Sequence, residues 1–192
     1  MNILKTQQLL ERLASLLRSE SRNLLLKYGL QPVQFEALQY LSLCNRYSDT
    51  PMAVTEYLGQ TKGSISQTIK VLEKKGLLEK RADQKDKRVI HLVLTVDGQH
   101  LVRQMQPLPM LQRAGSCLGD EAVTVITASL KSLLGALQEV NDFKAFGQCA
   151  LCQHNIKKDT GEYFCGLTKE RLSVEDIALI CREYEGVREK QV

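Results

Sequence analysis

Residues 61–98 read TKGSISQTIKVLEKKGLLEKRADQKDKRVIHLVLTVDG, and this stretch decides the fold. Thr61 can cap the free N–H groups of a helical first turn. Ile65, Ile69 and Leu72 recur at spacings of four and three and share one face. At about 100° per residue, Gly63, Gln67, Lys70, Val71 and Lys74 fall on the opposite face. Gly76 stands in the usual position just past a helix end. The period then changes. Leu77–Arg81 and Val89–Thr95 are β-rich runs on either side of the polar segment Ala82–Arg88. Helix, glycine turn and basic hairpin is the order that sets one helix in a DNA major groove with a wing beside it.

Charge points the same way. Residues 60–91 hold nine Lys and Arg (62, 70, 74, 75, 80, 81, 85, 87, 88) against four acids (73, 79, 83, 86), a surplus of +5 where the whole chain is +4. The positive charge is therefore concentrated here, as in a nucleic-acid binder. A solvated hairpin with ordinary surface lysines would explain the charge alone, but not the helix before it. Gln67 is expected at a base edge, because its amide can pair bidentately with adenine. Thr61, Lys62, Ser64, Ser66, Lys70 and Lys74 are expected around it, with the lysines and serines on phosphates. Gly63 would allow close approach. At the wing tip, Lys85, Asp86, Lys87 and Arg88 are too charged to be buried and are suited to reach the backbone.

The run Leu72-Glu73-Lys74-Lys75-Gly76-Leu77-Leu78 with Arg81, then Asp86-Lys87-Arg88, then Leu94-Thr95-Val96-Asp97-Gly98, resembles the MarR family of winged helix-turn-helix regulators. The resemblance covers roughly residues 1–141. It implies that Arg88 enters the minor groove with Asp86 holding its guanidinium. Arg is favoured in narrow, negative minor grooves, and a nearby carboxylate can orient its planar fork. It also implies a homodimer on double-stranded DNA, at a pseudo-palindromic operator with half-sites about 10 bp apart.

The rest of the chain fits that frame. Leu9, Leu10, Leu13, Leu16, Leu17 and Leu24 keep helical spacing over residues 3–27, a helix of roughly 37 Å at 1.5 Å per residue. A second helix is expected over about 33–44. Thr50-Pro51 opens a short third one as cap and first helical residue. After Gly98 a helix resumes to Met105. Gln106-Pro107-Leu108-Pro109 then breaks or kinks it, where the family usually has one long helix. Residues 120–141 form a strong helix with Val123, Ile126, Leu130, Leu133, Leu134, Leu137 and Val140 on one face. The expected units are a dimerisation helix (1–30), a winged helix-turn-helix (31–98), further dimerisation helices (99–141) and a cysteine-rich module (142–192). The fold class is mainly α with a small β-wing.

Four of six cysteines lie in the tail, as Cys149, Cys152, Cys165 and Cys181, a C-x2-C-x12-C-x15-C array. So short a segment, poor in large apolar side chains, needs a staple, and four thiolates can hold a metal. Ser173-Val174-Glu175-Asp176 reads as a capped helix start, with Cys181 near that helix's end. The spacing resembles that of high-potential iron–sulfur proteins. An iron–sulfur cluster is the first expectation, [4Fe–4S] ahead of [2Fe–2S]. Structural zinc is the alternative, and thiol redox chemistry without metal the third. His154 is expected as an exposed loop residue rather than a ligand. Cys44 is expected as a small core residue, and Cys117 likewise or facing solvent.

The expected function is a transcriptional regulator, a repressor, whose cluster senses redox state, oxygen, nitric oxide or iron. The module would act through the dimer helix that ends near Asn141. The alternative is a zinc-stabilised regulator answering to a small aromatic or lipophilic effector. An enzyme is not expected: C-A-L-C lacks the βαβ setting of a dithiol oxidoreductase, and no nucleophile–base pattern is seen. No apolar run approaches the ~18 residues of a membrane span, and the N-terminus lacks signal-peptide features. A cytoplasmic protein without membrane contact is expected.

Overall fold

The computed structural model describes residues 2–140 and 146–186. Helix α1 (Ile3–Leu25) starts at Asn2, whose side chain accepts the Lys5 N–H, and ends through a short 3-10 turn at Gly29 with φ of 57°. Helix α2 (Pro32–Leu43) buries Phe35, Leu38 and Tyr40. Helix α3 (Pro51–Tyr57) is capped by Thr50, and helix α4 (Lys62–Lys74) by Thr61. Gly59, at a φ of 61°, carries the turn between α3 and α4. One core joins them, with Leu25, Leu38, Val54, Ile65, Ile69, Leu72, Leu78, Leu92, Leu101 and Met105 all buried.

The wing is an antiparallel pair, β1 (Leu78–Ala82) and β2 (Ile90–Leu94), in a register that sets Leu78 opposite Leu94 and Ala82 opposite Ile90. Its exit explains the L-T-x-x-G pattern. The Thr95 hydroxyl donates to Gly76 O at 2.6 Å and accepts the Gly98 N–H at 3.1 Å, capping α5 (Val96–Met105). Gly98 therefore lies inside the helix rather than ahead of it. A Cβ there would stand 2.0 Å from Leu77 O, so the close strand–helix crossing requires glycine.

The proline segment ends α5, and Pro109 opens a separate helix, α6 (Pro109–Leu118). Gly119, at a φ of 83°, turns the chain into α7 (Asp120–Val140), with Asp120 and Glu121 in its positive first turn. Leu9 and Leu13 of α1 and Leu130, Leu134 and Leu137 of α7 are each 46–56% exposed. A single chain leaves both apolar stripes uncovered. By length and composition α7 could cross a membrane, which corrects the expectation that no segment qualifies. Its hydroxyls at Thr124, Thr127, Ser129 and Ser132 break the apolar run in sequence but bond back to carbonyls four residues earlier.

The tail is built from short strands. β3 (Gly147–Gln148) pairs with β7 (Ile180–Cys181), and β4 (Asn155–Lys157), β5 (Tyr163–Cys165) and β6 (Glu170–Leu172) form an antiparallel meander. Helix α8 (Val174–Ala178) begins with the expected Ser173 cap, reciprocated by Asp176. It is only five residues long, so Cys181 sits on the following strand rather than near the helix end.

Candidate nucleic-acid interface and four-cysteine cavity

On α4, Lys62, Gly63, Ser66, Gln67, Lys70 and Lys74 are exposed together on the side away from Ile65, Ile69 and Leu72. Thr61 is also exposed, its Oγ1 taken by the Ser64 N–H at 3.2 Å, and Ser64 is half-buried. Two positions differ from the simple wheel: Val71 is half-buried and Thr68 joins the buried face. The packed face is wider than three residues because α4 meets α2, α3 and β1.

The wing tip is ordered by its own acids. Asp83 Oδ1 accepts the backbone N–H groups of Lys85 and Asp86, each at 2.7 Å. Asp86 then grips Arg88 with both oxygens, Nε to Oδ1 at 2.9 Å and Nη2 to Oδ2 at 2.7 Å. The Arg88 side chain is 91% exposed. Arg88 therefore extends from the wing with its fork already aimed. Lys87 is exposed beside it. Asp83 and Asp86 are both held below the ordinary carboxylate value, Asp83 by the backbone N–H groups of Asp86 and Lys85 and Asp86 by Arg88.

His91 locks the wing to the body, a feature the sequence did not signal. Its Nδ1 lies 2.5 Å from Asp49 Oδ1 and its Nε2 lies 3.2 Å from Asp83 Oδ2. Flanked by two carboxylates, the ring is raised above its ordinary pKa, the Asp49 hydrogen bond being the main cause. The Leu92 N–H donates to Asp49 O at 2.7 Å and reinforces the same junction.

The four tail cysteines come together. Cys149, Cys152, Cys165 and Cys181 line one cavity, with Leu167 and Leu172 as apolar walls. His154 also lines it rather than standing free in a loop, and its Nε2 is 3.4 Å from Glu185. Backbone N–H groups of Thr168 and Glu185 point at Cys165 Sγ and Cys152 Sγ, each at 3.5 Å. Burial pushes the Cys149 thiol up to about 12, and the other three thiols add to it. Burial also raises Cys181, while Asn45 pulls against it. Among the described residues, no three His, Cys, Asp or Glu side chains converge closely enough to hold a single metal ion. Cys44 is buried, its thiol raised to about 12 by burial, and Cys117 is exposed.

The module is seated on the DNA-binding part. Phe146 packs edge-on against Tyr40 and Tyr57, with centroids at 5.8 and 5.1 Å. The Asn45 N–H donates to Ile180 O at 2.9 Å, and the Arg182 N–H to Ser48 Oγ at 2.8 Å. Arg182 forms a bidentate pair with Glu56 of α3. Glu170 accepts from the Tyr47 hydroxyl at 2.7 Å and from Lys85 Nζ at 2.9 Å. Lys85 is thus tied to the module rather than free at the tip. The module also meets the α2–α3 turn, α3 and the wing directly, beside the contact of Gln138 of α7 with Phe146 O at 3.0 Å. The junction near Asn141 lies outside the described residues.

A helix-turn-helix followed by a wing, with lysines and a poised arginine on one side, defines a winged helix-turn-helix DNA-binding protein. A family model described as "MarR family" matches residues 28–89. The chain is 31% identical over 126 residues to "Transcriptional repressor MprA" of Escherichia coli K12, covering 62% of this chain and 72% of that protein. The fold matches the crystal structure of transcriptional regulator Tm0710 from Thermotoga maritima, at 26% identity and a TM-score of 0.53, over 74% of this chain and 99% of that one. It also matches Streptococcus pneumoniae FabT in complex with DNA, at 22% identity and a TM-score of 0.58, over 73% of this chain and 99% of that one. The chain belongs to the MarR family and is a DNA-binding transcriptional regulator of that type. The family match ends at residue 89, ahead of the four-cysteine segment.

Proposed function

We propose that the chain is a cytoplasmic, homodimeric repressor that reads a pseudo-palindromic operator and carries an iron–sulfur cluster, [4Fe–4S] in preference to [2Fe–2S], on Cys149, Cys152, Cys165 and Cys181. The observation that carries the reading is that four cysteines, spread over 33 sequence positions, line one cavity in a module seated on the DNA-binding part. A tetrahedral zinc site needs its thiolates to converge, with Zn–S near ~2.3 Å. A [4Fe–4S] cluster takes one thiolate on each iron, which four cysteines from scattered sequence positions can supply. The N–H groups of Thr168 and Glu185 aimed at sulfur are the kind of contact that tunes such centres. Bound there, a cluster supplies a charge and oxidation state that follow oxygen, nitric oxide or iron supply.

In this reading Gln67 meets a base edge, and Lys62, Ser64, Ser66, Lys70 and Lys74 meet phosphates around the Thr61 turn, with Gly63 at the closest approach. Arg88 enters the minor groove, held by Asp86 and flanked by Lys87. Glu170 holds both Lys85 and Tyr47 on the seam, and with the thiol site empty that seam would loosen and Lys85 would be freed at the wing. A difference of only a few kcal/mol between the two arrangements switches operator occupancy. The uncovered stripes of α1 and α7 support a dimer, and the name of the Escherichia coli relative supports repression.

The test is the absorption spectrum, with iron and sulfide analysis, of protein purified without oxygen. A brown protein with matched iron and sulfide is expected. A colourless protein with one zinc per chain would replace this reading with a structural metal. A second cavity favours an effector in that case. It lies between α2, β2 and α5, and Arg46 and Arg103 join Leu41, Leu92 and Val102 in its wall, as a lipophilic acid requires.

A further inference from the structure

Asn45 sits in the turn after α2 and is only 1% exposed. Half of its side chain is accounted for. Oδ1 accepts the Tyr47 backbone N–H at 3.2 Å and the Ser48 hydroxyl at 2.8 Å. A backbone N–H can meet only the oxygen of the amide, so the orientation of the group is fixed. Nδ2 is thereby turned away from that turn. It is buried and completes no hydrogen bond to an oxygen or nitrogen acceptor.

A buried donor without a partner is costly and calls for an explanation. Asn45 lines the same cavity as Cys149, Cys152, Cys165 and Cys181. Its own N–H is bonded to Ile180 O, one residue before Cys181. The cavity offers its four sulfur atoms and the buried Asn155 oxygen as acceptors, the Cys181 sulfur is the one that the Asn45 side chain reaches, and two backbone N–H groups of the module already point at sulfur there.

We propose that Asn45 donates its side-chain N–H to a sulfur of the cluster site, so that a residue of the winged helix-turn-helix completes a site whose ligands all come from the tail. This rests on the iron–sulfur reading above. Asn45 is a positioning residue, not a ligand. An N–H···S bond strengthens as negative charge on sulfur grows, because charged acceptors bind donors more strongly. Asn45 is held in turn by Tyr47 and Ser48. These same two residues receive the module through Glu170 and through the Arg182 N–H. A change of charge at the cluster therefore acts directly on the turn that seats the module against the reading head.

The test uses the full chain purified without oxygen. Asn45→Asp keeps an oxygen for Tyr47 and Ser48 and replaces the donor by an acceptor. Asn45→Leu removes the donor without adding charge. Iron and sulfide per chain and the reduction midpoint potential, followed by electron paramagnetic resonance, are measured for both and for the parent. Donors to sulfur stabilise the more negative reduced state. Both variants are therefore expected to keep the cluster and shift the potential negative, Asn45→Asp further. In the unmutated chain, an exchangeable proton coupled to the reduced cluster is expected by electron–nuclear double resonance in addition to those of the Thr168 and Glu185 N–H groups, and Asn45→Asp should lack that additional proton while keeping the others. Unchanged potentials in cluster-loaded variants, or no such proton in the parent, would overturn the assignment. A parent chain without iron and sulfide fails the cluster reading itself, and that is seen before any variant is compared.

Discussion

Lys85 at the tip of the wing and Glu170 in the cysteine-rich module form an ion pair, Nζ to Oε1 at 2.9 Å. It joins the wing to the part that carries the thiols, across 85 residues of sequence. Lys85 is otherwise 84% exposed, so the pair restrains a lysine proposed to reach phosphate.

Removing that restraint should be measurable. Glu170→Ala is expected to raise operator affinity several-fold at low salt and to steepen the salt dependence by about one unit of slope, one additional phosphate contact. The same change in a Lys85→Ala background should do nothing. An unaltered slope in Glu170→Ala would mean that Lys85 is not withheld from DNA.

Arg88→Ala should weaken specific operator binding by about 10- to 100-fold, the range for loss of one groove contact. Lys74→Ala should weaken binding to all sequences alike and lower the salt slope by about one. Fluorescence anisotropy on operator and scrambled DNA separates the two effects. Equal losses on both DNAs for Arg88→Ala would remove it from the groove.

The Asp49–His91–Asp83 junction predicts a pH dependence. His91 is raised above its ordinary value of 6.5, first by the Asp49 hydrogen bond. Its stabilising contribution is therefore complete below about pH 6.5 and is lost as pH rises through the raised value. The melting temperature should fall across that alkaline step, and His91→Gln should flatten the fall. Asp83, held below its ordinary value, contributes in the opposite sense and loses its share as pH drops. A melting profile in His91→Gln that parallels the parent would exclude the junction as its source.

Gly98→Ala places a methyl group 2.0 Å from Leu77 O. The strand–helix crossing must open, at a cost on the order of 2 kcal/mol or more. Urea unfolding should show it as a lower midpoint. Thr95→Val removes the α5 cap and should cost about 1 kcal/mol.

Leu130→Asp puts a charge on the uncovered stripe of α7, where Leu130 is 46% exposed in the single chain. Sedimentation should show a monomer with native helix content. A persistent dimer would move the interface elsewhere.

The sequence was most legible where partners are close along the chain. Thr61 caps α4 through Ser64, Asp86 holds Arg88 and Ser173 reciprocates with Asp176, all within three residues. The C-x2-C-x12-C-x15-C spacing likewise announced a shared site. The seam was not legible, since Tyr47–Glu170 and Arg182–Glu56 span 123 and 126 residues and no local pattern marks them. Asn45, unremarkable in sequence, matters only because the fold turns one half of its amide toward the thiols. The three-residue strands β4, β5 and β6 are too short for alternation to show, so no strand was expected in the tail, which holds a meander.

The Arg182–Glu56 bridge also bears on the order in which the protein is made. Contacts within α2, α3 and α4 join near neighbours and form first, whereas the seam closes a loop of 126 residues. On the ribosome the reading head emerges well before Phe146 and Arg182 can reach Tyr40, Tyr57 and Glu56. A nascent or truncated chain thus presents a folded DNA-binding surface with its seat empty until the module docks.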